Sequence, residues 1–457
     1  MFAFSLPAHV STHLPFLAFS PLLQQAAWWP MWLKDADAWC LAVLPKWLVV
    51  EHDDGCYQWL RQADLSYRKV KLDTELASHV IRLSSQEVLP TITPTCTEGF
   101  SGGLMGWLGY DYQQQPAAHQ ELVSFPVLCF GFYDTFIRPN HHNQPTLYSA
   151  EARIGQTVLA ILSTPPPSAH TDFRLDSAFV PLMSRAQYEH AFDKVEGYLR
   201  SGDCYQVNLA QGFKASCQGV AISAFDALLK LSQAPFACYS HSPYGEILSV
   251  SPELFLAFQA DGTVLTRPIK GTRPRHDTPE LDEAQRHDLA THPKDKAENL
   301  MIVDLLRNDL AKHARIGSVQ VPTLFKVESF PQVHHLISTI RCQLAEDTHP
   351  LTLLFDAFPG GSITGAPKKR AMEIIQELEN CQRSIYCGSI GYLSTGGRGR
   401  WNIAIRTLLR VNHTIYAWAG GGIVADSVCE SEYQECFNKI GAILRCLEDT
   451  FWVKDKH

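Results

Sequence analysis

Hydrophobic and polar positions alternate with two different periods along the chain, and each period predicts a different element. In MSRAQYEHAFDKVEGYLRSGD the helical spacing of three or four residues is kept by Tyr188, Phe192, Val195 and Leu199. Ser184 and Gln187 stand where a capping box would begin this helix. A second amphipathic helix is predicted in DSVCESEYQECFNKIGAILRCLE, whose apolar stripe begins at Tyr433.

A period of two predicts β-strands on either side of Asp261-Gly262. SPELFLAFQADGTVLTRPIKGT holds two β-rich runs, and Asp-Gly is a preferred pair for a two-residue hairpin turn. Such a turn pairs Ala260 with Thr263 and, counting outward, Glu253 with Lys270. Directly opposed side chains have Cβ atoms roughly 5 Å apart. Glu253 and Lys270 are therefore predicted to be neighbours, either as a salt bridge or as a reacting pair.

A proline-rich stretch, STPPPSAHTDF, is the clearest break in the chain, because three consecutive prolines cannot continue a helix or a central strand. It separates an N-terminal region, residues 1–170, from a second region, residues 176–457. The first region reads as short strands and loops, and its GGLMGWLGYDY segment reads as a glycine- and aromatic-rich turn.

Composition narrows the class of protein. The 457 residues are 46% hydrophobic and 19% charged, which is typical of a soluble globular protein. A net charge of -8 and no long basic run argue against a nucleic-acid partner. No apolar run reaches the length of a membrane span, and the apolar N-terminus lacks the basic start of a signal peptide. The 13 cysteines form no CxxC pair. A cytoplasmic protein with reduced thiols is predicted.

Two predicted helix starts carry paired carboxylates. Asp295 and Glu298 are three residues apart in HPKDKAENL, and Glu432, Glu435 and Lys439 share one face of the last helix. Acidic residues in a first turn complement the helix dipole, and Glu435 to Lys439 suits an ion pair, so a purely structural role explains them. Alternatively, the two starts converge and hold one hard cation such as Mg²⁺.

Two glycine runs and an arginine suggest anion binding. FPGGSITGAPKKRAMEII places glycines ahead of a predicted helix, whose N–H groups could hold an anion, and AGGGIVADS follows a strand-like run. Arg406 lies in the alternating run NIAIRTLLR and is predicted to project from a sheet face. Each glycine run alone is explained by a tight turn. Together with Arg406 and a cation, the runs suit a small dicarboxylate.

Eight motifs in sequence identify a family resemblance. Between Ser201 and Ser427 the chain reads, in order, SGDCYQVNLAQ, SPELF, TRPIKGT, KAENLMIVDLLRNDL, HHLISTI, FPGGSITGAPKKRAMEII, GSIGYL and AGGGIVADS. These resemble the chorismate-utilising enzymes. The resemblance implies an α+β fold in which two β-sheets pack face to face and are flanked by outer helices, with the N-terminal region joined to the same body.

The resemblance also implies the residues of the site. Glu298 and Glu435 would bind Mg²⁺, with Asp295 and Glu432 beside them, and the ion would hold the ring carboxylate of chorismate. The groups implied to meet the rest of the substrate are Arg406, Tyr386, Lys439, His335, the loop at Ser362 and the backbone N–H groups near Gly421 and Gly422.

The residue at position 270 separates branches of the family. Anthranilate synthase relatives read P-I-A-G-T, whereas TRPIKGT carries Lys270, as in the branch that forms 4-amino-4-deoxychorismate for 4-aminobenzoate and folate biosynthesis. The resemblance implies that Lys270 attacks C2 of the ring while Glu253, as general acid, helps the C4 hydroxyl leave. Ammonia then adds at C4. Gln206 stands where water-activating relatives carry lysine, which favours nitrogen as the incoming group.

Further expectations concern partners and rival functions. The chain shows no recognisable glutaminase, so a separate glutamine amidotransferase subunit is expected to supply ammonia. The L-L-x-S-type element by which relatives bind tryptophan is replaced by MWLKDADAWCLAV, so tryptophan binding does not follow from the resemblance. The alternatives are an anthranilate synthase component and a non-catalytic chorismate or tryptophan sensor. Lys270 argues against the first, and the intact nucleophile and acid argue against the second.

Overall fold

The structure is a computed structural model that describes residues 1–7, 16–35, 38–90, 99–114, 117–120, 123–163 and 173–452. The predicted proline linker falls almost wholly on residues 164–172, outside the described residues, and the division of the chain there stays a prediction. Two residues of the segment compared with the tryptophan-binding element, 36 and 37, also lie outside them.

Strands are the most numerous elements of the described chain. The strands are, in chain order, β1 (Phe2–Ser5), β2 (Met31–Asp35), β3 (Ala38–Ala42), β4 (Trp47–His52), β5 (Gly55–Arg61), β6 (Tyr67–Lys71), β7 (Gly103–Leu108), β8 (Leu128–Tyr133), β9 (Thr135–Pro139), β10 (Pro145–Ser149), β11 (Arg174–Leu175), β12 (Val180–Pro181), β13 (Gln206–Gln218), β14 (Phe236–Ser242), β15 (Gly245–Ser251), β16 (Leu254–Phe258), β17 (Thr263–Arg267), β18 (Ile269–Pro274), β19 (Gln320–Ser329), β20 (Val333–Gln343), β21 (Gly365–Ala366), β22 (Ser389–Ser394), β23 (Gly399–Asn402), β24 (Thr407–Val411) and β25 (Thr414–Ile423).

The helices lie between these strands. They are α1 (Ser20–Leu23), α2 (Leu76–Gln86), α3 (Ala152–Ser163), α4 (Arg185–Ser201), α5 (Ile222–Leu231), α6 (Pro279–Thr291), α7 (Pro293–Ala311), α8 (Pro350–Ala357), α9 (Lys368–Leu378) and α10 (Cys429–Phe451), with short 3₁₀ turns at Phe16–Phe19, Ala26–Trp28 and Gly361–Ile363.

Two large antiparallel sheets form the body of the molecule. The first, of thirteen strands, runs β1-β10-β9-β3-β2-β14-β15-β24-β25-β13-β11, with β12 and β21 also paired to β13. The second, of twelve strands, runs β18-β20-β17-β16-β23-β22-β7-β8-β4-β5-β6, with β19 paired to β20. Helices flank the two sheets, so the predicted α+β architecture of two sheets and outer helices is confirmed.

The N-terminal region supplies one side of each sheet. β2 pairs with β14 in the first sheet, and β7 pairs along its whole length with β22 in the second. One hydrophobic core includes large side chains from both parts of the chain, among them Trp107, Phe130 and Trp401. The N-terminal region is therefore joined to the main body, as the family resemblance implies.

The GGLMGWLGYDY segment is not the turn predicted from its glycines. Most of it forms β7, a strand that is buried along its length. A Cβ on Gly106 would lie only 2.0 Å from the carbonyl oxygen of Cys129 in β8, so glycine is present because two backbones approach closely.

The helix features predicted from the sequence are present. Ser184 and Gln187 form both hydrogen bonds of a capping box at the start of α4. α10 packs on β25, and α7 packs on β18 and β20. No helix in the described ranges is long and apolar enough to cross a membrane. The twelve cysteines within those ranges are free thiols.

Candidate active site

Lys270 lies in a bulge of β18. The pairing of β18 with β20 shifts between Ile269 and Thr272, and Gly271 in this interval has φ of +86°. A Cβ on Gly271 would lie 3.0 Å from the carboxyl carbon of Asp295, so glycine lets the strand approach the start of α7. The bulge thus brings the half-buried Lys270 side chain beside α7.

The surroundings of Lys270 favour an uncharged amine. Burial lowers the pKa of this amine, and the nearby ammonium of Lys439 acts in the same direction. The carboxylates of Glu298, Glu253 and Glu435 oppose the shift. Because only an uncharged amine is a nucleophile, desolvation is the main contribution of this environment to reactivity.

Glu253 is a buried acid held by a serine. Its side chain is almost fully enclosed, and the Ser362 hydroxyl donates to its Oε1 at 2.8 Å. Burial raises the pKa of Glu253, while Ser362, Lys270 and the backbone N–H of Ile269 oppose this. A carboxyl with a raised pKa can retain a proton and donate it, which is the requirement for a general acid.

The strand register predicted for Glu253 and Lys270 is wrong, although the two remain neighbours. The loop has three residues instead of two: Gln259 N–H donates to Thr263 O at 2.8 Å, and Gly262 N–H donates to Gln259 O at 3.0 Å. Gly262 has φ of +79°, which suits a turn that ends in a left-handed residue. A further shift within the β16–β17 ladder moves Glu253 away from direct opposition.

The starts of α7 and α10 converge. Lys294 in the first turn of α7 lies with its Nζ 3.5 Å from the Asp426 carboxylate, just before α10. Burial raises the pKa of Glu298 on α7 and of Glu432 on α10, and the charge of Glu435 adds to the shift in both cases. Three acids from two helices therefore share one electrostatic environment.

Asp295 and Glu432 are held by neighbouring side chains. Asp295 accepts from Arg273 at 3.0 Å and lies 3.1 Å from the His292 ring. Glu432 accepts from the Ser427 hydroxyl at 2.6 Å. Both carboxylates are thereby oriented within the protein, which fits the supporting positions that the family resemblance gives them.

Glu298 and Glu435 are the two acids that the family resemblance assigns to Mg²⁺. Within the described ranges Glu298 has no hydrogen-bond partner, and Glu435 pairs with Lys439 at 2.5 Å. No three acidic, histidine or cysteine side chains there are grouped as a closed metal site. Mg²⁺ commonly uses one or two protein carboxylates and completes its shell with water and an anionic substrate. The two acids fit that kind of site.

Arg406 offers a guanidinium to an anion. It lies between β23 and β24 at φ of +51°, so the prediction that it projects from an alternating strand is wrong. Its carbonyl accepts from the Val250 N–H at 3.1 Å, which fixes the backbone. Burial lowers the pKa of the guanidinium, and no carboxylate of the described chain pairs with it. A desolvated, unpaired cation is suited to a substrate carboxylate.

His335 lies near Arg406 as a neutral ring. It is on β20, and its Nδ1 is 2.9 Å from the Thr272 hydroxyl. Burial, with a further effect of Arg406, lowers the pKa of His335 to about 4. The imidazole is therefore uncharged at neutral pH and can line a pocket without adding a cation.

Tyr386 and Lys439 lie on different parts of the chain, and both contact β25. The Tyr386 ring is buried and stacks on Trp418 with centroids 6.2 Å apart, and burial raises the pKa of its hydroxyl well above the usual range. Lys439 on α10 donates to the carbonyl of Gly420 at 3.0 Å. Both positions border the strand that carries the second glycine run.

The AGGGIVADS glycines lie within β25, so the loop predicted for them is wrong. Gly421 pairs with Leu209 of β13, and Gly422 pairs with Asn208. Asn208 N–H donates to Thr364 O, away from β25, so the amide groups of its partner Gly422 also point away from β13. The N–H of Gly421 faces the ladder, whereas that of Gly422 faces the open edge of β25.

These glycines make room for side chains. A Cβ on Gly421 would lie 2.8 Å from Oε2 of Glu432, and one on Gly422 would lie 1.8 Å from Nε2 of Gln206. The Oε1 of Gln206 is buried without a hydrogen-bond partner in the described chain. Gln206 thus lies over the glycine strand with an unused acceptor.

Two contributors to the site were not predicted. Thr272 follows Lys270 by two residues in the TRPIKGT motif and orients His335. Lys294 is in the first turn of α7 and contributes positive charge to the acids of both helices. Both lie inside motifs that also carry predicted residues, and that proximity is the signal that could have identified them.

Comparison with known proteins gives one family. A model of the chorismate binding enzyme family matches residues 51–445. Aminodeoxychorismate synthase component 1 of Escherichia coli (strain K12) is 47% identical over 363 residues, which cover 78% of this chain and 80% of that protein. Anthranilate synthase component 1 1 of Haloarcula marismortui is 38% identical over 382 residues, covering 78% of this chain and 77% of that one.

A solved structure is also similar. Anthranilate synthase component I from Streptococcus pneumoniae TIGR4 superposes with a TM-score of 0.76 at 28% identity, covering 89% of this chain and 92% of that chain. The similarity extends over both sheets and therefore includes the N-terminal region.

Proposed function

Because the chain belongs to the chorismate binding enzyme family, we propose that it acts as the synthase subunit that aminates chorismate to 4-amino-4-deoxychorismate. The higher identity to an aminodeoxychorismate synthase component than to an anthranilate synthase component supports this choice. The observation that carries the proposal is the buried amine of Lys270 between the acid of Glu253 and the acidic starts of two helices.

The first chemical step joins the enzyme to the substrate. The uncharged Nζ of Lys270 bonds to C2 of the ring, the double bonds shift, and the C4–oxygen bond breaks. Glu253 gives its proton to the departing hydroxyl, which leaves as water. The nitrogen of Lys270, positively charged after the bond forms, then loses a proton. The Glu253 carboxylate can accept this proton and so return to its acid form.

The second step releases the lysine. Ammonia bonds to C4, the double bonds shift back, and the bond between C2 and Lys270 breaks with its electron pair going to nitrogen. One proton passes from the incoming nitrogen to the nitrogen of Lys270, which leaves as an uncharged amine. The net reaction consumes chorismate and ammonia and yields 4-amino-4-deoxychorismate and water. The amino group is para to the ring carboxylate, as needed for 4-aminobenzoate and folate synthesis.

The substrate carboxylates have separate sites. Arg406 and the open N–H of Gly422 would hold one carboxylate, with Lys439, Tyr386 and the Ser362 loop nearby. His335 would line the ring pocket as a neutral side chain. The other carboxylate would lie at the acidic helix starts.

We propose that Glu298 and Glu435 hold Mg²⁺, which supplies the positive charge needed to bind the ring carboxylate there. Asp295 and Glu432 would keep these two side chains oriented. Activity should be lost on treatment with a chelator and return when Mg²⁺ is added.

Nitrogen would come from a separate glutamine amidotransferase subunit. The relatives named component 1 are consistent with a second component. Unpaired thiols throughout the described chain are consistent with work in a reducing compartment such as the cytoplasm. Glutamine should support activity only with the amidotransferase present, whereas free ammonium should support it with this chain alone.

Product identification tests the whole proposal. The chain would be incubated with chorismate, Mg²⁺ and ammonium at alkaline pH, where free ammonia is abundant, and the product identified by mass and chromatography. We expect 4-amino-4-deoxychorismate. Fluorescent anthranilate would establish the alternative function, and chorismate binding without turnover would establish a sensor.

A further inference from the structure

A buried ion pair lies directly behind the active-site loop. Arg383 is 1% exposed and Glu379 is 4% exposed. The Nε and Nη2 groups of Arg383 donate to the two carboxylate oxygens of Glu379 at 2.9 and 2.6 Å, a bidentate arrangement. The guanidinium of Arg383 also lies over the Tyr386 ring, 5.9 Å from its centroid. The hydrogen bonds of both side chains go to protein groups.

The remaining donors of Arg383 hold backbone at the site. Its Nη1 donates to the Ile363 carbonyl at 3.1 Å, and its Nη2 donates to the Asn208 carbonyl at 2.7 Å. Glu379 also accepts from the Ala210 N–H in β13 at 2.8 Å. One guanidinium thus connects the loop that carries Ser362 to β13, the strand that pairs with the glycines of β25.

The loop has a second anchor at its beginning. Lys368 on α9 donates to the Ala357 carbonyl at 2.9 Å and to the carboxylate of Asp309 at 2.6 Å. Side chains from two ion pairs therefore bind backbone carbonyls of this loop, one just before its glycines at Ala357 and one after them at Ile363. Between these anchors the Ser362 hydroxyl meets the Glu253 carboxyl at 2.8 Å.

We propose that Arg383, tethered by Glu379, is a positioning residue that holds the Ile363 carbonyl and thereby keeps the Ser362 hydroxyl on Glu253. This inference rests on the proposed function, in which Glu253 is the proton donor. Ser362 is adjacent to the anchored residue, so a small movement of the loop changes where Glu253 points. Displacements of about 1 Å can cost on the order of 100-fold in rate.

A double-mutant cycle tests the coupling. Arg383→Lys keeps the charge but cannot reproduce the forked contacts, so kcat for amination with ammonium should fall roughly 10- to 100-fold. KM for chorismate should change less than about threefold, because the substrate contacts remain. In a Ser362→Ala chain the same substitution should lower kcat by less than about threefold further, since the coupled hydroxyl is already gone.

A matched control separates positioning from general destabilisation. Arg410 also pairs with a buried glutamate, Glu246, at 3.0 Å, but in the β15–β24 ladder away from the loop. Arg410→Lys should lower the melting temperature while leaving kcat within about twofold of the unaltered chain. If Arg383→Lys does not fold, Glu379→Gln takes its place in the cycle, with the same non-additive result expected.

Two results would overturn the inference. One is an equal loss of kcat from Arg383→Lys in the native and Ser362→Ala chains. The other is an equal loss of kcat in Arg410→Lys at a comparable fall in melting temperature. Failure of the unaltered chain to aminate chorismate would instead contradict the proposed function, so the two failures are distinguishable.

Discussion

Both sheets border the active site, and their ladders there differ in regularity. In the second sheet, the ladders of β16 with β17 and of β18 with β20 both shift register close to Glu253 and Lys270. In the first sheet, β25 pairs with β13 without a shift from Thr414 to Ile423. The proposed acid and nucleophile lie only on the irregular side.

The difference indicates that the irregular side positions the catalytic groups and that the glycine side binds the substrate. Bulges turn individual side chains out of the regular alternation, so they can aim an amine and an acid at one point. A regular ladder cannot do this, but glycines within it leave space and an open edge with a free N–H. Substitutions on the irregular side should therefore lower kcat, whereas substitutions on the glycine side should raise KM.

Removal of the nucleophile should have the largest effect. Lys270→Ala is expected to lower kcat at least about 1,000-fold, because loss of a covalent nucleophile removes the reaction path and not only a contact. Steady-state rates and intact-mass analysis of the enzyme during turnover would measure the loss of rate and of the adduct.

Lys270→Arg provides the control for charge. It keeps a cation at the bulge but has no amine that can lose its proton at accessible pH, and it should be as inactive as Lys270→Ala. A covalent adduct that persists in either variant would show that another residue is the nucleophile.

Loss of the acid should come next. Glu253→Gln keeps an acceptor for the Ser362 hydroxyl but cannot donate a proton, and kcat should fall about 100- to 1,000-fold. Burial raises the pKa of Glu253, so the proton is held above the usual range and lost as pH rises through the raised value. The decline of kcat on the alkaline side should therefore disappear in Glu253→Gln.

The pH dependence of kcat also depends on the amine of Lys270. Lys270 becomes more reactive as it loses its proton, so the two groups together give a bell-shaped profile whose apparent pKa values belong to the pair. An alkaline decline that is unchanged in Glu253→Gln would assign it to another group.

Substitution of a glycine in β25 should weaken substrate binding. In Gly422→Ala the new methyl would lie 1.8 Å from Nε2 of Gln206, so this side chain, which the family resemblance places at the substrate, must move. KM for chorismate should rise about 10-fold with kcat within about threefold, by analogy with the removal of uniform binding. Gly197→Ala on α4 is the control, because nothing lies within 4 Å of its Cβ position. A loss confined to kcat would remove the distinction between the irregular side and the glycine side of the site.

The sequence predicts the parts of this site that depend on local rules. The capping box of α4 follows from Ser184 and Gln187, and the acidic helix starts follow from residue spacing. That Lys270 is the distinctive residue came from the family resemblance and not from spacing. Local patterns identify which side chains are available, but they do not show how far each is buried.

The predictions that are wrong concern the path of the backbone. Asp261-Gly262 suits a two-residue turn, yet Gly262 instead ends a three-residue loop, and this one-residue difference changes the register of the hairpin. The glycines at 420–422 were expected in a loop but lie in a strand, where those at 421 and 422 leave space for the side chains of Glu432 and Gln206. Such approaches between distant segments leave no local pattern.

The smallest expected effect concerns His335, on the irregular side of the site. Its pKa is lowered from 6.5 to about 4 by burial, so between these values the unfolded chain binds a proton that the folded chain does not. Stability from this residue is therefore present at neutral pH and falls as pH decreases from about 6.5 towards 4. The full difference corresponds to roughly 3 kcal/mol as an upper value.

His335→Gln removes this titration while retaining a side chain that can bond to Thr272. The free energy of unfolding, measured by denaturant titration at pH 7.5 and 4.5, should fall less in the variant than in the unaltered chain, by about 1 to 3 kcal/mol. The exposed His413, replaced by Gln, serves as the control and should leave the pH difference as it is. Parallel losses in the His335 variant and the unaltered chain would mean that the ring is not held neutral in the folded protein, and that the bulged side of the site does not exclude solvent from it.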